Sequence, residues 1–161
     1  MKKAVLPLAV LAMLGLIGAA VAWDCVRLAA DARHRVELAD EELQKHEQRL
    51  VTLLTGSPRL SREVHDAVNA HQETSGPQAR HAAYDKLVAS FRQTMSESID
   101  PTNPLDRRFM DDIAGAINRR EVAQKPYDNE VAEYHQFLQG HRGNVARWFS
   151  SQTRADWKTG D

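Results

Sequence analysis

Residues 23–55 read WDCVRLAADARHRVELADEELQKHEQRLVTLLT, without a glycine or a proline. Ala29, Ala32, Val36, Ala39, Leu43, Leu50 and Leu53 recur in alternating steps of three and four, with His46 filling the one gap in the series. Side chains at such steps stack on one side of an α-helix, so the pattern predicts a long helix with a heptad seam. The remaining faces carry Asp, Glu, Lys, Arg and Gln, the composition of a solvated surface. The small residues at the N-terminal end of the seam would let a partner helix approach closely.

The stretch that precedes this helix, Ala4–Ala22, has 19 residues and no charge, and Lys2 and Lys3 stand before it. As a helix it is about 28 Å long, close to the hydrocarbon thickness of a bilayer. Trp23 and Asp24 follow, an amphipathic ring and then a charge, as at a membrane interface. Pro7 falls in the first turns, where a helix tolerates it. The reading is a single-pass membrane helix through residues 4–22 that continues into the seam. A cleaved signal peptide is the rival, because Ala20-Val21-Ala22 is an acceptable cleavage site, but the apolar run exceeds the usual core of about 7–15 residues. Lys2, Lys3 and the terminal amine favour a cytoplasmic N-terminus, while Arg27, Arg33 and Arg35 pull the other way. The expectation is a bacterial cytoplasmic (inner) membrane protein with its bundle outside the cytoplasm.

Beyond Thr55 the punctuation is regular. Gly56-Ser57-Pro58 breaks the helix, with Ser57 as N-cap and Pro58 at the first helical position. Leu60, Val64, Ala67 and Val68 form the next apolar stripe, and Thr74-Ser75-Gly76-Pro77 ends it. Tyr84, Leu87, Val88, Phe91, Met95 and Ile99 mark a third helix. In Asp100-Pro101-Thr102-Asn103-Pro104, Asn103 caps and Pro104 starts a last long helix, with Asp106 in its first turn. That helix carries Phe109, Ile113, Ala116, Ile117, Ala123, Tyr127, Val131, Tyr134 and Leu138, and Pro126 predicts a kink or two helices meeting. Gly140 and Gly143 end it, leaving a tail with Val145, Trp148, Phe149 and Trp157. The chain thus divides into an anchor (1–23), a helical bundle (24–150) and a short polar tail (151–161).

Composition bounds the function. A length of 161 residues suits one domain, and 27% charged against 6% aromatic residues suits long solvated helices rather than a β-sandwich. Two of the 21 basic residues precede the apolar run and none of the 22 acidic ones does, so the remainder is slightly acidic and lacks the footprint of a nucleic-acid binder. The single cysteine, Cys25, excludes an intrachain disulfide and a cysteine-based metal site.

The seven histidines invite a metal reading. A di-iron bundle uses Glu-x-x-His, because i and i+3 share one inward face. The residues three before each histidine are Asp31, Leu43, Arg62, Val68, Gln78, Ala132 and Leu138, and His-Glu-x-x-His is absent too. The histidines therefore read as structural or surface groups, with His46 on the seam the one aimed inward. Cys25 lies at the membrane edge, and there is neither Gly-x-Ser-x-Gly nor a phosphate-binding glycine loop. Glu41-Glu42 and Asp111-Asp112 are adjacent pairs, which a helix splays about 100° apart. Arg107-Arg108 and Arg119-Arg120 read as surface ion pairs, with acidic partners or lipid headgroups as the alternative, and Trp148-Phe149 as a cap on the open end of the bundle, with a membrane or partner surface as the alternative. No catalytic, cofactor or metal site is expected, and no enzyme.

Residues 118–127, NRREVAQKPY, continue as DNEVAEY. Here Asn118, Arg119, Val122, Ala123, Tyr127, Val131 and Tyr134 stand at a spacing similar to the signature of the LemA family. The order of features, from membrane helix to signature helix and short tail, is similar as well. The chain departs from the family pattern at Asp128 and His135, where asparagine is usual, and at Glu130 and Pro126. It also lacks the tryptophan and Pro-Asn of the first long helix. The resemblance is that of a divergent member. It implies a membrane-anchored helical bundle without an established enzymatic activity, and gives the seven signature residues a structural role.

The resulting expectation is an all-α protein: an N-terminal transmembrane helix, then an elongated antiparallel bundle of about four helices. Its function would be that of a non-catalytic interaction or scaffold module with protein partners in the envelope, and self-association stays open. The alternative is a ligand- or metal-sensing bundle using His46, Tyr84, Tyr127 or Tyr134.

Overall fold

The computed structural model describes residues 5–57, 60–98, 100 and 102–150. Among them are five α-helices and no strand: α1 (Val5–Thr55), α2 (Arg62–Glu73), α3 (Pro77–Ser98), α4 (Pro104–Gln139) and α5 (His141–Phe149). The all-α expectation holds, and α5 stands where a tail was expected. The readings placed on Lys2, Lys3, Ala4, Pro58, Ile99, Pro101, Trp157 and the 151–161 tail lie outside the described residues.

The apolar run and the seam belong to one uninterrupted helix of 51 residues. Its N-terminal part is long and apolar enough to cross a membrane, and Leu11, Leu14, Leu16, Ile17 and Val21 are exposed along it. Gly56 follows the last residue of α1, as the sequence predicts.

Several local expectations change. The N-cap of α2 is Ser61, not Ser57: its Oγ accepts from the Val64 N–H at 3.4 Å. Ser61 stands three residues before Val64, the first buried residue of the α2 stripe, with Glu63 in the first turn. Gly76 has φ +90°, a conformation that favours glycine, and Pro77 then opens α3. Asn103 does cap α4, its Oδ1 accepting from the Leu105 N–H at 2.9 Å with Pro104 at the first helical position. α4 runs through Pro126 as one helix, so the two-helix alternative is not realised. Pro126 is exposed, and water can replace the backbone partner that proline removes. Gly143 does not end α4 but lies inside α5, where a Cβ would overlap Phe137 O and Leu138 Cα. Glycine is what lets α5 fold back against the end of α4 there.

The described chain forms two compact units, one from the residues up to Val36 together with those from Glu130, the other Glu37–Asn129. In the first, Cys25 and Ala29 of α1 cluster with Ala146 of α5, and Phe137 and Val145 pack against them. Val131, Tyr134 and Leu138 of α4 are buried in this unit as well. In the second, Leu50, Val51 and Leu54 of α1 join Val64 and Val68 of α2, Tyr84, Leu87 and Phe91 of α3, and Ile113 and Ile117 of α4. Each such aliphatic side chain contributes about 1.5–3 kcal/mol when removed from water.

The seam itself is corrected. The buried positions of α1 are Cys25, Ala29, Ala32, Val36, Asp40, Leu43, Glu47, Leu50, Val51 and Leu54, while Ala39, His46 and Leu53 are only half-buried. From Ala32 through Val36 to Asp40 the burial takes two consecutive four-residue steps. A straight helix drifts against a strict seven-residue repeat in this way, because it turns every 3.6 residues rather than 3.5. The drift carries two acidic residues into the interior.

Candidate functional site

Asp40 and Glu47 lie seven residues apart, two turns and about 10.5 Å along α1, and both are buried. Arg80 of α3 spans them. Its Nη2 donates to Asp40 Oδ1 at 2.5 Å and its Nε to Glu47 Oε2 at 2.8 Å. The neighbouring His81 places Nε2 3.4 Å from Asp40 Oδ1 and 3.9 Å from Glu47 Oε1. From α2, His71 Nε2 faces Glu47 Oε2 at 3.6 Å, and from α4, Arg120 Nη2 reaches Glu47 Oε1 at 3.5 Å. All four helices that pass through the Glu37–Asn129 unit therefore meet at Glu47, whose side chain is 0% exposed.

Aromatic rings complete the cluster. The Arg120 guanidinium sits 4.7 Å from the centre of the Tyr84 ring, a cation–π distance. His71 meets Tyr84 edge-on at 6.2 Å, and His81 meets Tyr127 edge-on at 5.0 Å. The buried Tyr84 hydroxyl and Arg120 Nε have no hydrogen-bond partner among the described residues.

The electrostatics follow from this packing. Burial pushes the Asp40 carboxyl up, but hydrogen bonds from His81 and Arg80 outweigh it and hold the group below the usual carboxylate range. Burial opposes ionisation of Glu47 too, and His71, Arg80 and His81 again bring the carboxyl below its ordinary value. Arg80 is lifted above its ordinary value, since the two carboxylates outweigh its own burial. Burial raises both phenols, Tyr127 to about 12. Two carboxylates thus face two guanidiniums, the pairing of opposite charges that a low-dielectric interior requires. Among the described residues no group of three or more His, Cys, Asp or Glu is suited to hold a metal ion.

A groove borders this cluster. A cavity of about 460 Å³ between α3 and α4 is lined by Phe91, Met95, Met110, Ile113 and Ile117, with Arg92 and Glu121 at 3.9 Å from each other beside it. A smaller cavity of about 210 Å³ shares Arg92, Ile117 and Glu121 with it and is also lined by Tyr84 and Arg120.

Of the residues singled out by sequence, His46 is half-buried beside Glu42 at 3.6 Å and outside the cluster. Tyr84 and Tyr127 are part of the cluster, whereas Tyr134 is buried in the other unit. Asn118, Arg119 and Val122 are exposed, Ala123 is half-buried, and Tyr127 and Val131 are buried. Glu41, Glu42, Asp111, Asp112, Arg107, Arg108 and Arg119 are exposed, but Arg120 is buried, contrary to its reading as a surface group. Sequence reasoning missed Asp40, Glu47, His71, Arg80, His81 and Arg120. The available signal was a second series, Val36, Asp40, Leu43, Glu47, Leu50 and Leu54, as regular as the one chosen.

Trp148 and Phe149 do not close the bundle. They are 88% and 67% exposed at the end of α5. The chain matches no profile of a known family, no curated protein and no solved structure.

Proposed function

We propose that this chain is a membrane-anchored, non-catalytic helical-bundle protein of the bacterial cell envelope, similar to the LemA family, that acts as an interaction or scaffold module. It sits in the cytoplasmic (inner) membrane by one pass, with the bundle outside the cytoplasm. One observation carries the reading: the exposed apolar segment of α1 continues without a break into the buried wall of the helical core. The charged residues inside that core are committed to one another, which suits a rigid display element better than a reacting centre. The α3–α4 groove favours a second reading, in which a small apolar ligand is sensed there.

In-cell photocrosslinking of the full chain from Asn118, beside the groove, and from Gln72, exposed on α2, tests the first reading. The expected result is a defined adduct with an envelope protein from Asn118 and none from Gln72. Absence of any protein adduct overturns the scaffold reading and leaves the ligand reading standing. A reporter fused to the C-terminus fixes the compartment, and a cytoplasmic signal overturns the proposed orientation.

A further inference from the structure

α5 is the least expected element of the fold, and its surface is the least explained. Gly143 and Ala146 bury one side of it. Ala146 clusters with Cys25 and Ala29 of α1, two and six residues beyond Trp23, which is roughly 3 and 9 Å along the helix axis. α5 is therefore held beside α1 just past the end of the uncharged run. On these two helices three large aromatic side chains stand in the open: Trp23 at 75% exposure on α1, and Trp148 and Phe149 two and three residues beyond Ala146 on α5.

Val145, Trp148 and Phe149 are spaced i, i+3 and i+4, so they share a side of the helix. The helix HRGNVARWF contains no acid, and it carries Arg142 and Arg147. Arg147 donates to Leu138 O and Asn144 Oδ1, which ties its base to α4, while Arg142 is exposed. On α1 the nearby charges are Asp24, Arg27 and Asp31, all exposed. Exposed aromatics beside cations, with no anion on the helix, are the surface of a helix lying in a lipid interface.

We propose that α5 is a second membrane contact: Trp148 and Phe149 enter the headgroup region of the leaflet that Trp23 marks, and Arg142 meets anionic headgroups. The inference rests on the reading of α1 as a membrane helix. α5 then pins the end of α4 to the bilayer, so that the protein is attached at two points of its chain.

The test uses the full chain reconstituted in phosphatidylcholine–phosphatidylglycerol vesicles, with and without bromine on the acyl chains. The chain has three tryptophans. Trp23→Phe/Trp157→Phe leaves Trp148 as the reporter, and Trp148→Phe/Trp157→Phe leaves Trp23. The expected result is loss of emission by bromine from both reporters, with the loss at Trp148 reduced and that at Trp23 unchanged when Arg142→Glu is added. Quenching of Trp23 with none at Trp148 overturns the second contact and points to a protein or a second copy on α5. No quenching of Trp23 overturns the membrane reading of α1 itself. Quenching of Trp148 that is indifferent to Arg142→Glu overturns the role given to headgroup charge.

Discussion

The two halves of α1 invert the usual rule of burial. Toward its N-terminus Leu11, Leu14, Leu16 and Ile17 are exposed, while farther along Asp40 and Glu47 are buried. The first half is long and apolar enough to cross a membrane, and an exposed stripe of this kind is costly in water. The second half is stable only if its charges find partners, since a lone buried carboxylate costs far more than any single contact returns. With α1 as the proposed membrane helix, one helix answers to two solvents. The difference teaches that α1 should be judged by what surrounds each turn rather than by its hydropathy.

The sharpest way to break the buried half is to remove the cation that spans it. Arg80→Met keeps an apolar body in the core but leaves Asp40 and Glu47 without their bridging guanidinium. Breaking one partner of such a buried network destabilises by about 3–5 kcal/mol. Urea denaturation of the detergent-solubilised chain measures it, and a midpoint within error of the parent would show that the cluster holds nothing together. Membrane extraction should not change, because the exposed half of α1 is untouched.

The exposed half breaks in the opposite manner. Leu14→Arg puts a charge near the middle of the apolar run, on a residue that is 58% exposed. If α1 is the proposed membrane helix, its cost falls on insertion, about 2.5–3.5 kcal/mol on insertion-based scales. Alkaline extraction should release more of the variant from membranes, while its urea midpoint stays that of the parent. A variant that unfolds early but remains in the membrane would reverse the assignment of the two halves.

Which parts of this were legible in the sequence follows from the same contrast. The helices were legible, because their signals are local: Asn103-Pro104 opens α4, and Gly76-Pro77 opens α3. The choice between Ala39, His46 and Leu53 and their neighbours Asp40, Glu47 and Leu54 was not. Both series fit a helix, and composition favours the apolar one. What decides it is Arg80 and Arg120, which lie 40 and 73 residues away along the chain from the acids they meet. A buried charge can be read from sequence only together with its partner, and these partners meet only in the folded chain. Gly143 was misread for a similar reason: its lack of a side chain serves a close approach to Phe137 and Leu138, not a helix end.

Acid offers a subtler probe of the buried half. In the folded chain both Asp40 and Glu47 are held below their ordinary values. A carboxyl lowered by folding contributes stability that is fully present above its unfolded-state value, about pH 4, and that is lost as pH falls through its folded-state value. The groups facing them are His71 of α2, Arg80, His81 and Tyr84 of α3, and Arg120 and Tyr127 of α4. The urea midpoint should therefore fall as the pH drops below about 4, in the direction linkage requires. The exposed Glu42, Glu63 and Asp100 are also held low, by hydrogen bonds from Lys45, the Glu63 backbone and Thr102, so part of the slope belongs to the surface. Asp40→Asn/Glu47→Gln removes only the buried part, and the difference between the two slopes isolates it. The effect should be smaller than that of Arg80→Met, because protonation neutralises the acids in a cluster that keeps its shape, whereas the substitution leaves two charged acids with Arg120, on Glu47 alone, as their remaining guanidinium. Equal slopes in parent and double variant would place the acid sensitivity of this protein on its surface and leave the buried carboxylates without a part in it.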